Sequence, residues 1–160
     1  MRNSKLLLLA VSTAALAACN PFHREPVTAV TTDANANARW RASLVTPAAL
    51  AGAVQMNGSA TMQPGQTSES TIFSLNIDNA TPGGLHPWQV HRGQCGADEG
   101  VVGSTDIYKS IKVGDEGRGK ASATVPMTTP TTGSYFVTVS ASAANAETVV
   151  ACGNLAPPTS

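Results

Sequence analysis

Histidine is the side chain best suited to hold a metal or move a proton near neutral pH, and this chain has three: His23, His86 and His91. The last two share one run, Gly84-Leu85-His86-Pro87-Trp88-Gln89-Val90-His91. On an extended strand residues two apart share a face, so Gln89 and His91 point one way while His86, Trp88 and Val90 point the other. His86 is expected to be a structural histidine whose ring nitrogens bond backbone groups, because a buried imidazole must be satisfied. Trp88 belongs to the core, where its indole N–H needs an acceptor. His91 is read as an exposed, unpaired histidine. The alternative is a weak metal site completed by Asp98, Glu99 or Asp106, although acids in such a loop usually form only a solvated surface. No Ser-His-Asp arrangement is apparent, since the domain holds two histidines and no nucleophile signal near them.

The elements that position these residues follow from composition. The chain has 160 residues, ten Lys+Arg against ten Asp+Glu, 12% charged and 4% aromatic residues, 14 Gly and 10 Pro. This length bounds the answer to one modest domain with extras, and the turn-rich composition does not suit a helical bundle. No Lys/Arg cluster supplies the counterion release on which nucleic-acid binding depends, so no nucleic-acid partner is expected.

Residues 1–18 combine a basic start (Arg2, Lys5), an apolar run from Leu6 and small residues before Cys19, the build of a secretory signal. Leu16-Ala17-Ala18-Cys19 resembles the bacterial lipobox, in which the signal is cut before the cysteine and the sulfur carries lipid. This implies a lipid-anchored protein of the bacterial cell envelope, with membrane as its one named partner. Asn20 at the sorting position favours the outer membrane. Without residues 1–18, eight basic side chains face ten acidic ones, so the mature chain carries a net charge of −2. With Cys19 taken as the anchor, Cys95 and Cys152 remain in an oxidising compartment with no CxxC or His-rich neighbourhood, and a disulfide is expected. By the loop-closure model it is worth on the order of 4 kcal/mol.

Residues 19–41 are expected to form the lipidated N-terminus and a flexible tether, being rich in Thr, Ala, Asn and Pro and too poor in large apolar residues to fold alone. Trp40, between Arg39 and Arg41, offers a contact to a membrane surface, although two arginines on a tether give little binding by themselves. Beyond it the pattern has period two. Thr71, Phe73, Leu75 and Ile77 alternate with Ile72, Ser74, Asn76 and Asp78, and Tyr135, Val137, Val139 and Ala141 alternate with Phe136, Thr138, Ser140 and Ser142. Turns such as Pro64-Gly65 and Thr81-Pro82-Gly83-Gly84 separate the runs. Strands are predicted near 40–45, 54–63, 69–78, 85–91, 107–113, 119–125, 134–141 and 147–152, an all-β sandwich or barrel. The Gly-rich stretch 92–118 is predicted to be mostly irregular. The domain is bounded at 42–155, with a C-terminal tail at 156–160.

The run 84–91 followed by Gly93-Gln94-Cys95 resembles the copper-ligand strand of the Cu/Zn superoxide dismutase family. Val113-Gly114-Asp115-Glu116-Gly117 and Val150-Ala151-Cys152-Gly153 resemble a turn and the closing cysteine segment of that family, in family order. The resemblance implies an eight-stranded Greek-key β-barrel, a structural role for His86 and a Cys95–Cys152 disulfide. The metal set departs from the family. Gln89 and Ser140 stand at former copper-histidine positions, Val149 replaces the substrate-steering arginine, and no histidine follows residue 91. Copper redox chemistry needs several imidazoles, and zinc needs four Cys, His or carboxylate ligands. The resemblance therefore implies an envelope lipoprotein with a degenerate metal site and no expected cofactor or dismutase activity, acting as a binding or structural module. The alternative is a dismutase or copper-binding protein with an atypical site built on His91.

Overall fold

Alternating residues with opposite preferences build a curved sheet whenever one face can be buried, and the described residues of this chain do so in ten strands. The structure, a computed structural model, describes residues 39–158. The expected signal 1–18, the lipidation residue Cys19, His23 and the tether to residue 38 lie outside the described residues, as do residues 159–160 of the expected tail. The strands are β1 (Trp40–Val45), β2 (Asn57–Pro64), β3 (Thr71–Asp78), β4 (Leu85–His86), β5 (Trp88–Gln94), β6 (Ala97–Val101), β7 (Ile111–Val113), β8 (Gly119–Val125), β9 (Tyr135–Ser142) and β10 (Asn145–Leu155). Short 3-10 turns lie at Ala48–Leu50 and Thr105–Ile107. All strand pairs are antiparallel, in the order β4-β7-β8-β3-β2-β1-β10-β9-β5-β6.

The sheet curls into a half-barrel around an apolar interior. Trp40, Leu44, Phe73, Leu75, Val137 and Val139 are each essentially inaccessible to solvent. A side chain of this size contributes about 1.5–3 kcal/mol when fully buried. Their neighbours Arg41, Ser43, Ser74 and Asn76 remain on the outer face.

Two differences from the predicted strands account for the count of ten. The run 85–91 is interrupted at Pro87, which has no N–H to give a ladder. Its first part pairs with β7 and its second with β9, so one short segment supplies one end of the sheet order and the strand next to the other end. The second difference is β6, inside the stretch expected to be irregular. Gly93, at φ +98°, sits at a shift in the β5–β6 register, and a Cβ there would run into the Ala97 carbonyl oxygen. Gly96, also at positive φ, turns the chain and sends a polar, Gly-containing segment back along β5. Such a segment reads as loop because its side chains carry no apolar alternation.

Trp40 is also corrected. It begins β1, as the strand predicted over 40–45 requires, and is 1% exposed, so it is not free to meet a membrane surface. Its indole N–H donates to the Pro130 carbonyl at 3.0 Å, and its ring meets Tyr135 edge-on at 5.6 Å. Core burial outcompetes a membrane role for this side chain. Among the described residues no helix is long and apolar enough to cross a membrane.

Candidate functional site: a cleft on the outer face

The face of the sheet turned away from the core carries a cleft of about 990 Å³. Its floor comes from the residues that alternate with core positions. Gln89 and His91 alternate with buried Trp88 and Val90 on β5, and Phe136, Thr138 and Ser140 alternate with Val137 and Val139 on β9. Antiparallel pairing sets Gln89 directly beside Thr138 and His91 beside Phe136. Val149 lines the same cleft. Gln89, His91, Ser140 and Val149, positions that the family resemblance marks out in the sequence, thus line one cleft.

Two walls cover this floor. One is the turn into β6, pinned by the Cys95–Cys152 disulfide (Cα–Cα 6.1 Å) and by Cys95 N–H donating to Asn154 Oδ1 at 2.8 Å. The other is the β9–β10 turn, where Ser140 Oγ donates to the Ala146 carbonyl at 2.8 Å. These ties explain why Thr138 and Ser140 are only 8% and 9% exposed although they lie outside the core.

His91 is neither exposed nor unpaired, which corrects the reading from sequence. It is 8% exposed and stacks on Phe136 with ring centroids 4.9 Å apart. Both carboxylate oxygens of Asp98 lie 3.0 Å from Nδ1. A carboxylate can only accept, so Nδ1 carries a proton. In the neutral ring Nε2 is then the acceptor, and it receives the Thr138 hydroxyl at 3.2 Å. Asp98 is itself oriented by the Gly100 N–H at 2.7 Å. That bond, with the contact to His91, holds the Asp98 carboxyl below its ordinary value. An acid, an imidazole and a hydroxyl therefore form a continuous chain, where the sequence shows no triad-like arrangement. Thr138 and Phe136 were missed because strand register, unlike alternation, is not written in either strand alone.

His86 faces the other way, as alternation predicts, and lines a separate cavity of about 290 Å³ with Ala80 and Val150. Its Nδ1–H donates to the Ser140 carbonyl at 3.0 Å, while Nε2 is buried without a hydrogen-bond partner among the described residues. Together with Ser140 N–H donating to the Pro87 carbonyl at 2.8 Å, this bond ties the β4–β5 break to β9. Trp88 is buried as expected, donates to the Lys109 carbonyl at 2.8 Å and packs edge-on against Tyr108. Tyr108 donates to the Val102 carbonyl at 2.6 Å, and burial pushes its phenol up to about 12. These contacts anchor the segment 102–110.

The donor set does not suit copper. His91 has both ring nitrogens engaged by Asp98 and Thr138, Ser140 is committed to Ala146, and Gln89 offers one amide oxygen. His86 lies on the far face, and Glu99 and Asp106 are absent from the cleft lining. Among the described residues no three His, Cys, Asp or Glu side chains are grouped to hold a metal ion. No protein-family model matches the chain, and no curated protein matches it.

Proposed function

We propose that this protein is a superoxide dismutase-like lipoprotein of the bacterial envelope, anchored through Cys19 to the outer membrane. In this reading it keeps the barrel and the disulfide and uses the former copper position as a ligand cleft. The observation that carries the reading is His91, whose two nitrogens are both satisfied by protein side chains at the place where the resemblance puts copper. The strand arrangement supports it. The curled, all-antiparallel sheet is the coarse architecture such a barrel requires, and β4 and β5 are the two parts of one run divided at Pro87. Among the described residues the cleft lining includes Asp98 and Glu147 and no Lys or Arg, a poor field for steering an anion such as superoxide.

Metal analysis of the processed protein after copper and zinc loading tests the proposal. The expected result is substoichiometric metal and no dismutation. The double variant Gln89→His/Ser140→His, which would place three imidazoles around one point of the cleft, is expected to gain stoichiometric Cu(II). Stoichiometric copper with rapid dismutation in the unaltered protein would overturn the reading.

A further inference from the structure

We propose that Thr138, His91 and Asp98 form a nucleophile–base–acid relay at the floor of the cleft, and that the cleft accepts acyl groups from small uncharged or cationic esters. This rests on the reading above only in taking the cleft, rather than a metal, as the working part of the site.

The geometry meets the requirements of such a relay in sequence. The nucleophile needs a base within hydrogen-bond reach, and the base needs an orienting partner on its other nitrogen. Thr138 Oγ1 lies 3.2 Å from His91 Nε2, and Asp98 lies 3.0 Å from Nδ1. The acid holds the tautomer that leaves Nε2 free to take the hydroxyl proton. Stacking on Phe136 and 8% exposure hold the ring in place, and Gly100 N–H holds Asp98. Gln89 stands directly across from Thr138. Cβ atoms of such pairs lie about 4.5–5.5 Å apart, which puts the amide N–H donors of Gln89 within reach of the carbonyl oxygen of a group reacting at Thr138.

The chemistry balances without a cofactor. Thr138 Oγ1 bonds to the acyl carbon while its proton passes to His91 Nε2. The ester C–O bond then breaks, and His91 returns the proton to the departing alkoxide. Water next gives a proton to His91 and its oxygen to the acyl carbon, and Thr138 recovers its hydroxyl as the acid leaves. Substrate charge follows from the lining: Asp98 and Glu147 are its charged side chains, and Val149 supplies no cation for a carboxylate or phosphate.

The test is a burst assay of the processed full chain with p-nitrophenyl acetate, with mass analysis of the acid-quenched protein. The expected result is acetylation at Thr138, retained in Thr138→Ser and abolished in Thr138→Val. His91→Gln is expected to slow acylation by about 10²-fold or more, the usual contribution of a positioned base. A quaternary-ammonium ester is expected to react ahead of the neutral one, and an anionic half-ester last. Hydrolysis by Thr138→Val at the unaltered rate, acetylation at another residue, or no acylation in a correctly folded, metal-free protein would overturn the relay. The last of these leaves the metal-free cleft standing, whereas stoichiometric copper would instead remove the cleft reading itself.

Discussion

His86 and His91 are five positions apart in one run, equally buried at 8% exposure, and have opposite surroundings. His86 sits at the seam where β4 breaks from β5 and gives its Nδ1 proton to a backbone carbonyl of β9. His91 sits on the outer face and is held by two side chains, from β6 and β9, that border open volume. A histidine tied to backbone is a strut, because removing its side chain strands a carbonyl that no substitution can remove. A histidine tied to a carboxylate and a hydroxyl at a cleft keeps a path for its proton. The two regions share β9: Ser140 offers its carbonyl to His86 and its hydroxyl to the turn that walls the cleft.

The disulfide offers the largest way to break this contrast. Replacing Cys95 and Cys152 by Ser opens a loop with a sequence separation of 57 residues, for an expected loss of about 4 kcal/mol. Denaturant unfolding measures the loss, and Thr138 acylation should fall with it because the wall carrying Asp98 is released. On the other face, His86→Ala is expected to cost about 1–3 kcal/mol by stranding the Ser140 carbonyl. Acylation of the fraction that remains folded should stay unchanged, and an equal fall in both readouts would erase the distinction between strut and relay.

Two smaller effects are read from pH. Burial raises the Tyr108 phenol to about 12, against an ordinary value of 10.0. This contribution to stability is full below about pH 10 and is lost as pH rises through about 12. Tyr108→Phe should flatten the alkaline limb of the stability curve without touching the cleft. Asp98 has the opposite sign. Its depressed carboxyl contributes stability above the ordinary carboxylate value that is lost as pH falls through the folded one. Asp98→Asn should remove that acid dependence with the smallest change in unfolding midpoint, because Asp98 is solvent-exposed, and should slow acylation by misdirecting His91.

Much of the architecture was legible before folding. Alternation in 71–78 and 135–141 placed Phe73, Leu75, Val137 and Val139 inside, and it set His86 and His91 on opposite faces. It failed where its physical basis fails. Gly93 and Gly96 let a polar segment add β6 without any apolar signature, and Pro87 divided a run whose two parts pair with different strands. The arginines beside Trp40 suggest a membrane contact, yet the apolar area of its indole, with an acceptor at Pro130, buries the ring at the start of the strand predicted over 40–45.

What the sequence alone determined is the period-two face of each strand, the disulfide pair and the scarcity of imidazoles at the positions where the family resemblance expects copper. These are local or compositional properties, readable one segment at a time. Only the tertiary structure decided that Asp98, His91 and Thr138 meet. Their contact depends on the register of β5 against both β6 and β9, which bulges, turns and the packing of the whole sheet set together.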